Sequence, residues 1–282
     1  MARPHIEFFQ AQAITWHILG NQSARPGAQE KVLSRDTETS ASSSIIRYPK
    51  GWVLEQPHCL KSDEEFFVLT GTLVINNISY SKGDYAYLPA GFQRTKMQAV
   101  QETDILTYFE GPANLVAVSE PVNFYSDAKL ITRVPTEKVE WGSATDQKVA
   151  GPGVRRLGLR KDSTTGDTTW LLEVNEIGMS KDVNRLETHP VVEEVFILSG
   201  EMHMPMGVLK RGAYFWRPPH IPHGPTGTRS GALGIFRCKG GSLKTEWSDD
   251  LYPVQWNAPY NPVLPEDLKS GLRKSYDETL FY

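Results

Sequence analysis

The chain has little cysteine: two residues in 282, Cys59 and Cys238, far apart and in no Cys-x-x-Cys pair. That argues against a disulfide framework or a thiolate zinc site and leaves both thiols as small buried hydrophobes. No window reaches the roughly 18 consecutive apolar residues of a membrane helix. The opening MARPHIEFFQAQ lacks the apolar core of a signal peptide. The expectation is a soluble, cytoplasmic protein without a membrane partner. An excess of one charge is also missing, since 30 basic residues face 33 acidic ones. Such a balance gives a polyanion nothing to hold, which excludes nucleic acid as the expected partner. Amide-rich and low-complexity tracts are absent, which argues against a storage protein. No long segment keeps a helical period; only PEDLKSGLRKSY near the C-terminus has helical character.

What is present reads as strand. Short runs rich in Val, Ile, Thr, Phe, Tyr and Trp, such as FFVLTGTLVINN and VFILSGEMHM, are separated by Gly, Pro, Asn, Asp and Ser clusters. The pattern is all-β, and it is written twice. IEFFQAQAITW at 6–16 answers ITRVPTEKVEW at 131–141; Pro26-Gly27 answers Pro152-Gly153, and Gly51 answers Gly178. EEFFVLTGTL at 64–73 and KGDYAYLPAGFQR at 82–94 then answer EEVFILSGEM and RGAYFWRPPHIPH at a constant offset of 129. The reading is an N-terminal copy over 1–128, a second copy over 129–241, and a C-terminal arm over 242–282 rich in Pro, Trp and Tyr. The arm's aromatic surface suits packing over the β domains or over a second subunit, and a homodimer is expected.

The second copy carries Glu187-Thr-His189, Glu193, Gly200 six residues later, and then Pro218-x-His220-x-x-His223. Strand alternation lets Glu187 and His189 share a face, and puts Glu193 in parity with Val195 and Ile197 but not with Glu194. These residues resemble the two signature motifs of the cupin superfamily, HxH(x)3–4E(x)6G and PxGxxH. The likeness covers both halves, so the whole chain resembles a bicupin, with EEVFILSGE and PPHIPHGP most similar to the ChrR-like branch. The resemblance implies two tandem double-stranded β-helix (jelly-roll) barrels and one divalent metal in the second, held by Glu187, His189, Glu193 and His223. Fe2+ is the first choice, with Mn2+, Zn2+ or Ni2+ also suited to imidazole and carboxylate. Glu187 stands where the family has His, so it can ligate, act as catalytic base, or face solvent. His220 takes the motif's turn glycine; it is read as a neighbour of the site, a catalytic or substrate contact, or an exposed residue. Phe196, Tyr214, Phe215 and Trp216 are read as a pocket wall or as core, and His203 as pocket lining or packing.

By the same offset, His58, Leu60, Glu64 and Arg94 of the first copy stand where the second has Glu187, His189, Glu193 and His223. An arginine there opposes a divalent ion and can pair with Glu64. The first barrel is expected to be a metal-free structural or dimerising half, or to bind a small anion at Arg94. The function implied is a metal-dependent enzyme on a small-molecule substrate, first a non-haem dioxygenase of a diketone, hydroxyketone or phenolic acid. The alternatives are a redox-free isomerase or lyase, or a non-catalytic metal- or small-molecule-binding sensor module.

Overall fold

The computed structural model describes residues 3–117, 125–143, 153–175, 184–274, 277 and 279–282. Pro152 and Gly178 of the repeat lie outside them. Among the described residues the protein is β structure with one α-helix, Glu266–Gly271, which begins directly after Pro265. No helix among them is long and apolar enough to cross a membrane.

Contacts divide the chain into two compact units, Met1–Arg3 with Thr15–Val139, and Pro4–Ile14 with Glu140–Tyr282. The first contains a seven-stranded sheet in the order His17–Ile18, Gln29–Arg35, Ser42–Tyr48, Thr103–Phe109, Glu64–Thr70, Asp84–Leu88, Ile131–Pro135. The second runs Gly142–Ser143, Val154–Lys161, Thr168–Val174, Ala232–Lys239, Val192–Met204, Ala213–Arg217, Ile6–Gln10, with Gly207–Lys210 added to the long strand. The two orders match strand for strand. The partition departs from the linear boundaries 1–128 and 129–241 at one pair of elements. Ile6–Gln10, which opens the first copy, pairs with Ala213–Arg217 in the second unit, and Ile131–Pro135, its counterpart, pairs with Asp84–Leu88 in the first. An edge strand is chosen by one neighbour only, and these two segments share a pattern that suits either edge.

Alternation sorts the faces. In the first unit Phe66 and Val68 join Ile46, Leu73, Ile75 and Leu88 in an apolar core, and Glu64 has their parity. In the second, Val195 and Ile197 pack with Trp170, Leu209, Phe215 and Phe236, and Glu193 has theirs. Glu65 and Glu194 point to the opposite face, where each accepts a hydrogen bond of 2.7 Å from the tyrosine of the neighbouring strand, Tyr85 or Tyr214. Glu194 also pairs with Arg237. Cys59 and Cys238 are buried and form no disulfide among the described residues.

The C-terminal arm lies along the second unit. Val263 bridges to Glu7, the Tyr260 hydroxyl donates to the Phe8 carbonyl at 2.8 Å, and the Arg273 N–H donates to the Ala13 carbonyl at 3.0 Å.

Gly71, directly after Glu64–Thr70, and Gly200, within Val192–Met204, have φ of 77° and 75°, and a Cβ at either would collide with the carbonyl of Glu102 or Gly231. Both terms oppose any side chain. Gly71→Ala and Gly200→Ala are each expected to lower unfolding free energy by about 2 kcal/mol or more in urea denaturation. Gly20→Ala, where a Cβ would meet nothing within 4 Å, is expected to cost far less.

Candidate metal centre

The site is assembled by a backbone bridge. Glu187, on the strand Arg185–Thr188, and His223, in the loop after the proline turn, exchange N–H···O bonds of 2.9 and 3.0 Å. In the first unit His58 and Arg94 make the same exchange at 3.0 and 2.8 Å. The turn between them also repeats: the His220 N–H donates to the His189 carbonyl at 2.8 Å, as Gly91 does to Leu60 at 2.9 Å. Gly91 has φ of 81° and His220 has φ of 63°. His220 therefore occupies the left-handed turn position of the glycine, with its side chain exposed.

Glu187, His189 and His223 offer ligand atoms that all lie within 4.8 Å of one another. The His223 Nε2 is 3.5 Å from both Glu187 Oε1 and Glu193 Oε2, and the His189 Nε2 is 3.9 Å from Glu187 Oε2 and 4.0 Å from Glu193 Oε2. The opposite ring nitrogens face carbonyls, His189 Nδ1 that of Lys244 at 3.1 Å and His223 Nδ1 that of Ile221 at 3.0 Å. A carbonyl only accepts, so each neutral ring carries its hydrogen on Nδ1 and turns a bare Nε2 lone pair toward the carboxylates. That is how metal-binding histidines are oriented.

Charge decides what the cluster can hold. Glu193 is bound by the Arg217 guanidinium, whose Nε and Nη2 also grip Glu7 at 2.6 and 3.0 Å. All three side chains are buried. Burial alone would raise the Glu7 carboxyl, but the Arg217 charge outweighs it and holds the group below its usual range. Burial, with the charge of Glu193 added, pushes Glu187 up to about 8. Burial, reinforced by Arg217, drives His223 down to about 2 and keeps that imidazole neutral. Two carboxylates against one guanidinium leave the cluster negative even with Glu187 protonated. Two imidazole nitrogens and one or two carboxylates suit Fe, Mn, Ni or Zn.

The neighbouring aromatics divide by parity. Phe215 faces the interior, beneath the Arg217 guanidinium at 4.2 Å from its ring centroid. Phe196, Tyr214 and Trp216 share the other face with Glu194, so they do not wall the site. His203 is buried against Trp256 and reaches Glu201 at 3.2 Å. His5 stands 3.8 Å from Glu7. Sequence reasoning missed Arg217 and Glu7. One trace existed: Arg217 stands where the first copy has Leu88.

In the first unit the equivalent locus is built differently. Glu64 receives both Nη2 contacts of Arg25 at 2.8 Å and the Nη2 of Arg94 at 2.6 Å, while Arg25 Nε donates to the Tyr48 hydroxyl at 3.1 Å. Two guanidiniums on one carboxylate leave a net positive charge. Burial lowers His58 to about 4, and both arginines add to the effect.

Residues 7–244 match a family described as a domain of unknown function, DUF4437. The chain belongs to that family. Comparison of this DUF4437 chain with curated proteins returned no match. Among solved structures, a candidate dioxygenase from Nostoc punctiforme aligns with TM-score 0.78 at 20% identity, covering 88% of this chain and 92% of that one. Oxalate decarboxylase from Lactobacillus farciminis, as a formate complex, aligns at 0.56 and 11% identity over 86% and 88%. A mutant of the Bacillus subtilis oxalate decarboxylase aligns at 0.51 and 14% over 86% and 79%. At these identities the likeness establishes the fold, and the fold of this DUF4437 chain is that of the cupins.

Arg217→Met would leave Glu7 and Glu193 buried without their cation, and a loss of about 3–5 kcal/mol is expected in urea denaturation of metal-stripped protein. Adding Glu7→Gln should recover part of it, a non-additivity that a double-mutant cycle measures. For His58 the folded value lies below the unfolded one, so the unfolded chain binds the extra proton between pH 6.5 and 4. Stability is thus present above 6.5 and lost as pH falls toward 4. In His58→Gln the slope over that window should be shallower by up to about 1.4 kcal/mol per pH unit.

Proposed function

We propose that this chain is a bicupin of the ChrR-like branch and a metal-dependent enzyme, first a dioxygenase acting on a small diketone, hydroxyketone or phenolic acid. One observation carries the reading: two imidazoles with Nδ1 fixed by carbonyls, and Nε2 lone pairs aimed at the same pair of carboxylates. Two histidines with a carboxylate form the ligand set of non-haem iron oxygenases, which makes Fe2+ the first choice over Mn2+, Zn2+ or Ni2+. When bound, the ion supplies Lewis acidity and open positions for a chelating substrate. Glu187, His189 and His223 would hold it. Arg217 pairs with Glu193 and fixes it beside them. Phe215 gives the interior an apolar face, and the Glu187 carboxyl can hold or release a proton near neutral pH. The description of the Nostoc protein as a candidate dioxygenase agrees with this reading.

A redox-free lyase or isomerase is the second reading, favoured by the raised proton affinity of Glu187. The structural likeness to oxalate decarboxylases, one of which is described with Mn(II) centres, is in keeping with it. The working form is taken to be a cytoplasmic homodimer acting on a small molecule. In support, six of the eleven exposed large hydrophobics among the described residues fall between Leu251 and Phe281.

Metal analysis of the purified chain, combined with oxygen uptake over diketones and catechols, tests the proposal. About one ion per chain with oxygen consumption is expected, and His189→Ala and His223→Ala should each abolish metal uptake while His220→Ala retains it. Metal with substrate turnover but no oxygen uptake moves the assignment to the lyase. Metal without turnover moves it to a sensor, and a wild-type chain that takes up no metal overturns it.

A further inference from the structure

The first unit is more than a copy that has lost its ligands. A barrel merely released from metal binding would fill the vacated positions with apolar side chains, as it does at Leu60. Instead the locus has gained buried polar groups. Arg94 stands where the second unit has His223, and Tyr80 where it has the fully buried Leu209. Arg25 and Tyr48 are added beside them, and Arg25, Tyr48, His58, Glu64, Tyr80 and Arg94 are all at most 3% exposed.

Among the described residues, three of their atoms have no hydrogen-bond partner: His58 Nε2, Tyr80 Oη and Arg94 Nε. A buried polar atom left unpaired costs about 1–3 kcal/mol, so three around one carboxylate call for an explanation. They belong to one neighbourhood. His58 and Arg94 are bridged through their backbones. Arg94 grips Glu64, and the Tyr80 ring packs edge-on, 5.1 Å between centroids, against Phe66, which shares the Glu64 face of the strand. Charges on Arg94 and Glu64 are felt at both His58 and Tyr80.

The unpaired atoms also have defined polarity. Arg94 Nε–H is a donor, and the Tyr80 hydroxyl has a hydrogen to donate. His58 Nδ1 faces the Gln56 carbonyl at 2.8 Å, so the neutral ring carries its hydrogen there and Nε2 is an acceptor. Arg25 and Arg94 against Glu64 leave one uncompensated positive charge.

We propose that the first unit is a binding site for a small, singly charged hydroxycarboxylate, its carboxylate held by Arg94 Nε and Tyr80 Oη and its hydroxyl donating to His58 Nε2. Two donors, one acceptor and one positive charge match such a ligand and reject a divalent cation.

Glycolate is the probe, titrated calorimetrically into the full-length, metal-stripped chain, with acetate as the analogue that lacks the hydroxyl. Glycolate should bind at about one per chain, and acetate on the order of tenfold more weakly, the worth of one hydrogen bond. Tyr80→Phe, which keeps the ring against Phe66, should weaken glycolate on the order of tenfold and raise the unfolding temperature of the ligand-free protein, because an unpaired hydroxyl is removed. Arg94→Lys, which keeps the charge opposite Glu64 but deletes the Nε–H, should weaken glycolate as well. Failure of glycolate to bind overturns the proposal. Binding untouched by Tyr80→Phe and Arg94→Lys overturns it too, by placing the ligand elsewhere. A Tyr80→Phe chain that is less stable with unchanged affinity would show that a buried water alone satisfies these atoms, and would likewise overturn it.

Discussion

A carboxylate at the head of the central strand, buried in the interior of a β domain, has to be met by positive charge, and the two units meet it in opposite proportions. At Glu193 a single guanidinium is shared with a second carboxylate, Glu7, and the balance stays negative. At Glu64 two guanidiniums converge on one carboxylate, and the balance turns positive. Ionised groups are rarely this deeply buried unless paired. The charge left after pairing is therefore opposite in sign in the two interiors, negative in the second unit and positive in the first.

The strand exchange is tied to that outcome. Glu7 lies on Ile6–Gln10, the edge strand drawn from the other copy's sequence, and reaches Arg217 on the strand it pairs with. Without Glu7, Arg217 would neutralise Glu193 alone, and the cluster would lose its net negative charge. In the first unit the corresponding edge strand, Ile131–Pro135, places Thr132 at the position equivalent to Glu7. Arg25 enters instead from the segment before Gln29–Arg35. Equivalent scaffolds thus receive their neutralising charge from non-equivalent places.

The legible part of this in the sequence was what repeats locally. The offset of 129 carries over to the backbone: the bridge of Glu187 with His223 matches that of His58 with Arg94, and His220 adopts the left-handed turn that Gly91 adopts. Parity separated Glu193 from Glu194 because each strand residue has a single choice of face. Long-range partners left almost no trace. Glu7 and Arg217 are 210 positions apart, and an edge strand has no sequence pattern that names its neighbour. The aromatic run Tyr214, Phe215, Trp216 misleads by composition, since a pleated strand sends only Phe215 inward.

Buried imidazoles show why the same residue type serves two ends. His58, His189 and His223 each anchor Nδ1 on a backbone carbonyl, so each exposes an Nε2 lone pair to its interior. In the second unit those lone pairs face the carboxylates of Glu187 and Glu193. In the first unit the same lone pair feels the charges of Arg25 and Arg94, which oppose a cation. The histidine is held alike in both units; the charge it faces differs.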